Sequence, residues 1–137
     1  MNKGSCLCKS VQVEAEVISH NVGVCHCRMC RKWAGGSLLA VETSGVVNFK
    51  GEDNITSYKS SDWAQRGFCK NCGTHLFYHL LSNNQYIIPA GLFDSDAGFV
   101  LGHQIFIEEK PGYYNFAEKT KKMTGAEAFK AFSHDGD

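Results

Sequence analysis

The sequence has no net charge, no long apolar run and no apolar stretch behind a cationic amino terminus. Fourteen Lys plus Arg residues balance fourteen Asp plus Glu residues, so the chain lacks the basic character that nucleic-acid partners require. No segment approaches the roughly 18 consecutive apolar residues of a membrane span. The first residues, MNKGSCLCKS, do not resemble a secretion signal. We therefore expect a cytosolic protein that binds neither nucleic acid nor membrane.

The length and composition predict one folded domain over residues 1–137. Hydrophobic residues make up 43% and charged residues 20% of the chain, which is typical of globular proteins. A chain of this size is expected to bury roughly two-thirds of the surface that it exposes when unfolded. No linker, repeat or low-complexity segment divides it.

The hydrophobic pattern predicts an all-β, antiparallel domain with little helix. In VQVEAEV, apolar side chains alternate with polar ones from Val11 to Val17, which is the period of a half-buried strand. Turn residues separate the strand candidates. The other candidates are residues 37–42, 46–49, 55–59, 65–69, 75–80, 85–90 and 103–109.

Two short segments have helical signatures. Thr124 and Glu127 fit a capping box at the start of a helix that runs to Phe132. Its apolar stripe, Ala128, Phe129 and Phe132, is expected to pack in the core. A shorter helical turn begins near Met29 and ends at Gly35.

Seven cysteines indicate metal binding rather than a disulfide framework. The number is odd, and disulfide frameworks are usually paired and secreted. Thiolates are good zinc ligands, and a reducing compartment leaves them available. The cysteines form three groups: Cys6 and Cys8; Cys25, Cys27 and Cys30; and Cys69 and Cys72.

The first and last groups predict a closed structural zinc site. FCKNCGTHLFY is a zinc-knuckle pattern, in which Gly73 permits the left-handed turn that brings Cys69 and Cys72 to one metal. A knuckle supplies only two ligands. Cys6 and Cys8 are the spare pair, since residues i and i+2 of an extended chain project on the same side.

Cys25, Cys27 and Cys30 then predict a second zinc ion with one open position. Three protein ligands and an exchangeable fourth distinguish a catalytic zinc from a structural one. The open position would take water or an incoming thiol. Arg28, Arg31 and Lys32 would offset the thiolate charge and receive an anionic substrate.

Other interpretations of the three cysteines remain open at this point. A histidine would close the site, the candidates being His26, His75, His79 and His103. In an extended segment the His26 side chain points to the side opposite Cys25 and Cys27, which favours a hydrogen-bonded structural histidine over a ligand. The spacing matches neither of the common iron–sulfur patterns. A redox disulfide in CKNC lacks a surrounding βαβ pattern.

The order of the motifs resembles one protein family. GSCLC, CHCRMCRKWAG, GFCKNCGTHLFY, GLFD and HQIFIEEKPGYY together resemble the glutathione-dependent formaldehyde-activating enzyme (GFA) family, which also includes centromere protein V. The resemblance implies a β-tent fold, two zinc ions and carbon–sulfur lyase activity that joins formaldehyde to glutathione as S-(hydroxymethyl)glutathione. Carried over by position, the structural zinc falls on Cys6, Cys8, Cys69 and Cys72, and the catalytic zinc on Cys25, Cys27 and Cys30.

Two functional hypotheses follow. The first is a zinc-dependent lyase of the GFA type whose substrates are a small thiol and a small aldehyde. The second is a non-catalytic zinc module that binds a protein partner. Substrate contacts are less defined: Arg66 is a further candidate cation, and four aromatic residues are candidates for a pocket or for the core, namely Trp33, Phe77, Phe93 and Tyr113.

Overall fold

The computed structural model describes residues 1–132, with the backbone alone at Phe132. The described chain forms two compact units, one built from Met1–His20 and Ala40–Gly98 and the other from Asn21–Leu39 and the residues from Phe99 onward. The elements in chain order are β1 (Asn2–Ser5), β2 (Gln12–Val17), β3 (Asn21–Cys25), α1 (Arg28–Ala34), β4 (Leu38–Lys50), β5 (Ile55–Ser61), β6 (Ala64–Cys69), β7 (His75–Leu80), β8 (Gln85–Pro89), β9 (Val100–Ile105), β10 (Lys121–Lys122) and α2 (Gly125–Phe132).

The first unit is an antiparallel sheet in the order β1-β2-β4-β8-β7-β6-β5. Strand β4 replaces the two separate strands expected at residues 37–42 and 46–49. Residues 40–42 pair with β8, and the strand from Thr43 onward pairs with β2. Gly45, with a positive φ of 96°, lies at the irregular part of the β2 pairing. One long strand therefore joins two parts of the sheet.

The core of the first unit follows the predicted alternation. Val11, Val13 and Ala15 are buried, while Gln12 between them is exposed. Leu76 and Ile88 on β7 and β8 are also fully buried. The apolar side of these strands thus forms the packed face, as period-two patterning requires.

The second unit contains the parallel strands of the fold. Strand β9 pairs in parallel with β3 and also with β10. The all-β prediction with little helix is confirmed, and these parallel pairs make the strand pairing mixed rather than purely antiparallel. Two of these strands, β3 and β10, were not expected. In β3, residue 23 must be small because a Cβ there would lie 2.6 Å from Nε2 of His103 on the neighbouring strand β9.

The predicted strand at residues 103–109 is correct only as far as Ile105. Phe106 adopts a left-handed conformation with φ 55° and ψ 44°, and Ile107–Glu109 form a 3-10 turn. The Phe106 ring packs near Phe129, and a Cβ on Gly125 would lie 2.4 Å from it. Packing against α2 therefore turns the chain, despite the cost of a left-handed non-glycine residue.

Helix α2 begins with the predicted capping box. The Glu127 N–H donates to Oγ1 of Thr124 at 3.1 Å, and the Thr124 N–H donates to Oε1 of Glu127 at 2.8 Å. The backbone bond with Thr124 holds the pKa of Glu127 below its usual range. Ala128 packs in the core as expected, but Phe129 is 58% exposed, and the Phe132 side chain lies outside the described residues.

Over residues 1–132, no helix has the length and apolar character needed to cross a membrane.

Candidate metal centres

The first unit gathers the sulfurs of Cys6, Cys8, Cys69 and Cys72. All four sulfurs lie within 4.8 Å of one another. Sγ of Cys8 is 3.6 Å from Sγ of Cys6 and 3.7 Å from Sγ of Cys69. A zinc ion with sulfur ligands at about 2.3 Å requires sulfur–sulfur separations of about 3.8 Å. The sulfurs therefore have the spacing of a tetrahedral thiolate site.

Local backbone geometry brings the sulfurs of this four-cysteine cluster together. Cys69 ends β6, and the Gly73 N–H donates to the Cys69 carbonyl at 2.8 Å. Gly73 has a φ of 79°, as the sequence predicted for a zinc knuckle. Cys6 directly follows β1, and the Val11 N–H donates to its sulfur at 3.3 Å.

Hydroxyl groups favour the thiolate form of two of these cysteines. The Thr74 hydroxyl, 3.2 Å from the Cys72 sulfur, and the Thr74 backbone N–H lower the pKa of Cys72 to about 5. The Ser10 hydroxyl, 3.4 Å from the Cys69 sulfur, lowers the pKa of Cys69. Metal ligation requires deprotonated sulfur. Two of the four sulfurs, Cys69 and Cys72, therefore favour the form that binds a cation.

The second unit gathers the sulfurs of Cys25, Cys27 and Cys30, here called the triad. Cys25 ends β3, Cys27 is the N-cap residue of α1, and Cys30 lies in its first turn. The Cys30 N–H donates to Sγ of Cys27 at 3.4 Å. All three sulfurs lie within 4.8 Å of one another. The three thiols therefore meet because α1 begins directly after β3 ends.

The Cys25 thiol of the triad resists ionisation. Hydrogen bonds with Cys27 and Cys30 raise the pKa of Cys25, and burial and the proximity of these thiols raise it further. Adjacent thiolates repel each other in a buried site. A divalent cation would reverse this preference, because it compensates several thiolates at once. The donor set fits a soft, tetrahedral metal such as zinc.

The described residues supply no fourth Cys, His, Asp or Glu ligand to the triad. No further Cys, His, Asp or Glu ligand atom within residues 1–132 joins the group. His26 is buried, with Gln104 and Tyr114 each 2.8 Å from one of its ring nitrogens, and burial lowers its pKa. His79 bonds to Asn84 at 2.6 Å. A site closed by one of the predicted histidines is therefore not formed by the described part of the chain.

The cations beside the triad are held by main-chain groups. The Arg31 guanidinium donates to the Glu109 carbonyl at 2.8 Å, and the Glu109 carboxylate accepts the Arg28 backbone N–H at 2.9 Å. Lys110, which sequence inspection missed, donates to the carbonyls of Pro111 and Tyr114. Carbonyl oxygens carry no net charge, so these contacts alone do not neutralise Arg31 or Lys110; the anionic group at the start of α1 is the Glu109 carboxylate.

Comparisons with known proteins identify the family. The profile described as glutathione-dependent formaldehyde-activating enzyme matches residues 1–109. The chain belongs to this GFA family. It is also 35% identical over 130 residues to an uncharacterized lyase of Schizosaccharomyces pombe, covering 94% of this chain and 95% of the relative. A crystal structure of a Rhodobacter sphaeroides protein has a TM-score of 0.58 at 23% identity, over 68% of this chain and 88% of that one, and shows the fold alone.

Within this GFA-family chain, the remaining predicted candidates take different places. Arg66 is buried in the first unit, with its guanidinium carbon 4.9 Å from the centre of the Tyr78 ring. Phe77 and Phe93 are core residues of the same unit. Tyr113 is 77% exposed in the second unit. None of these four is among the residues that build the triad.

Sequence inspection missed the polar groups that support the two clusters. Ser10 and Thr74 contact sulfurs of the four-cysteine cluster, and Gln104 and Tyr114 contact His26. Ser10 and Thr74 each lie two residues from a predicted ligand, which was an available signal. Gln104 and Tyr114 lie far from His26 in the sequence; the motif HQIFIEEKPGYY contains both, but it did not indicate their contact with His26.

Proposed function

We propose that this GFA-family chain is a zinc-dependent carbon–sulfur lyase that interconverts formaldehyde plus glutathione with S-(hydroxymethyl)glutathione. The observation that carries the proposal is the triad: three thiols converge, and residues 1–132 bring no fourth Cys, His, Asp or Glu ligand atom to them. Three ligands with one open position are typical of catalytic zinc. The name of the Schizosaccharomyces pombe relative, an uncharacterized lyase, supports the same reaction class.

We assign the two zinc ions different roles. Cys6, Cys8, Cys69 and Cys72 would hold a structural ion, since four thiolates complete a tetrahedron. Cys25, Cys27 and Cys30 would hold the catalytic ion, which when bound would lower the pKa of a thiol in its open position. We also propose that the protein works in a reducing compartment such as the cytosol, because seven metal-binding cysteines must stay reduced to act as ligands.

The reaction requires little from the chain beyond positioning and charge. The glutathione thiol gives its proton to solvent, and its sulfur forms a bond to the carbonyl carbon of formaldehyde. The π electron pair moves to the carbonyl oxygen, which takes a proton from solvent. One thiol and one formaldehyde thus give one S-(hydroxymethyl) thioether, and the lyase direction reverses each step. Holding the two reactants together supplies most of the acceleration.

The cationic side chains beside the triad suit an anionic thiol. Three thiolates and a divalent cation carry one net negative charge, and a fourth thiolate adds another. Arg28 and Lys32 are exposed on α1, and Arg31 is anchored beside Glu109. These cations would offset the charge at the triad and attract the two carboxylates of glutathione. The proposal therefore favours glutathione over a neutral thiol.

Exchange spectroscopy by NMR tests the reaction. The condensation also proceeds without a catalyst, so the protein-free exchange rate is the reference. With ¹³C-formaldehyde and glutathione at equilibrium, zinc-loaded protein should speed exchange between formaldehyde and the adduct in proportion to protein concentration. The Arg31→Gln variant should lose more of its rate with glutathione than with a neutral thiol such as 2-mercaptoethanol, because only glutathione carries carboxylates. Exchange that stays at the protein-free rate with fully loaded protein would contradict the proposed activity.

A further inference from the structure

His26 is a buried polar residue between two triad cysteines. Its relative exposure is 0%, although both of its sequence neighbours carry triad sulfurs. Nε2 lies 2.8 Å from Oε1 of Gln104, and Nδ1 lies 2.8 Å from the hydroxyl oxygen of Tyr114. A buried imidazole normally requires partners at both nitrogens. This ring has both, so it is fixed in position and in rotation.

The orientation of the Gln104 amide gives the network its direction. The Gln104 amide nitrogen donates to Oγ1 of Thr120 at 2.9 Å, so its oxygen faces His26. Nε2 of His26 then carries the ring hydrogen and donates to that oxygen. Nδ1 has no hydrogen and accepts from the Tyr114 hydroxyl. Each polar group therefore meets a complementary one, which is the condition for a rigid buried network.

The fixed ring sets the direction of the neighbouring sulfurs. The His26 N–H donates to the Ile105 carbonyl at 3.2 Å, which continues the β3–β9 pairing past Cys25. Cys27 is also extended, with φ −63° and ψ 153°. Successive side chains of an extended segment point to opposite sides. With the His26 ring turned inward, Cys25 and Cys27 are both directed to the other side, where Cys30 meets them.

We propose that His26 is a positioning residue, whose bonds to Gln104 and Tyr114 hold Cys25 and Cys27 in the arrangement that binds the second metal. The inference rests on the metal-binding triad of the proposed function, and extends it by naming residues that make no metal contact. Groups that orient metal ligands typically change metal affinity 10–100-fold when removed. Affinity at the triad is therefore expected to depend on residues far from it in the sequence.

Cobalt titration of two variants tests this role. Tyr114→Phe removes one hydroxyl and keeps the ring, while His26→Gln removes the imidazole. The cobalt–thiolate absorbance of the triad is the part that wild type shows and Cys27→Ser lacks. We expect cobalt affinity at the triad to fall about tenfold in Tyr114→Phe and on the order of 10–100-fold in His26→Gln. Affinity at the four-cysteine cluster should not change.

Thr43→Val is the matched control for general loss of stability. Thr43 is 1% exposed in the first unit, and its hydroxyl donates to the Tyr86 carbonyl at 2.7 Å. Its removal costs one buried hydrogen bond, as in Tyr114→Phe, and should leave triad affinity unchanged. If His26→Gln does not fold, Tyr114→Phe decides alone.

The possible results separate the two proposals. Wild-type protein that binds no cobalt at the triad contradicts the proposed metal site itself. Wild-type protein that binds it, with a folded Tyr114→Phe variant of unchanged affinity, overturns the positioning role only. An equal loss of triad affinity in Thr43→Val also overturns it, because the effect would then be one of stability.

Discussion

Replacing Cys27 with serine is expected to abolish turnover and to lower the zinc content from about two ions per chain to about one, while the protein stays folded. A serine hydroxyl is a poor ligand for zinc beside two thiolates. Cys27 also caps α1 through the Cys30 N–H, and serine is a good N-cap residue, so the helix should persist. Metal analysis, circular dichroism and the exchange assay measure the three quantities.

Met29→Ser is the matched control for this substitution. Met29 lies on α1 between two triad cysteines in sequence and is 44% exposed. It carries none of the triad sulfurs, so this variant should keep about two zinc ions and near-normal turnover. A Cys27→Ser protein that retains turnover with one zinc ion would show that the triad is not the catalytic site.

Replacing Cys69 with serine should have a different and larger effect on folding. Cys69 is fully buried at the end of β6, and its sulfur belongs to the four-cysteine cluster. Structural zinc at such sites contributes on the order of 10–16 kcal/mol, comparable to the entire free energy of unfolding of a small domain. We expect Cys69→Ser to lose the structural zinc and the cooperative unfolding transition of the wild type.

Cys27→Ser serves as the comparison for Cys69→Ser, since each variant removes one thiol ligand from one cluster. Thermal unfolding followed by circular dichroism should show a clear transition in Cys27→Ser and none in Cys69→Ser. A chelator should unfold the wild type and should not change the Cys69→Ser spectrum. If Cys69→Ser kept the wild-type unfolding transition with one zinc ion bound, the four-cysteine cluster would not have the structural role proposed for it.

The local features of both clusters were predictable from the sequence because they depend on short spacings. The knuckle turn at Gly73 and the end of α1 at Gly35, with φ 82°, follow from neighbouring residues. The division of the cysteines into four and three also followed from spacing, and the sulfurs are grouped in the same way. Alternation predicted the buried side of β2 for the same local reason.

Features that depend on distant partners were not predictable. HQIFIEE reads as a strand to its end, but Phe106 turns out of β9 because its ring packs near Phe129 and Gly125 of α2. The parallel pairing of β3 with β9 joins segments far apart in the chain. The partners of His26 are likewise remote, and no spacing rule marks a glutamine or a tyrosine as a partner of a buried histidine.

X-ray absorption spectroscopy at the zinc edge, with and without glutathione, tests the central claim most directly. The open position proposed at the triad predicts seven protein sulfurs over two zinc ions, with one oxygen or nitrogen ligand completing the second tetrahedron. Glutathione should replace that light atom with one further sulfur per chain, and the Cys27→Ser variant should show no such gain. A wild-type spectrum that glutathione leaves unchanged would contradict the claim and would favour a closed, non-catalytic zinc module.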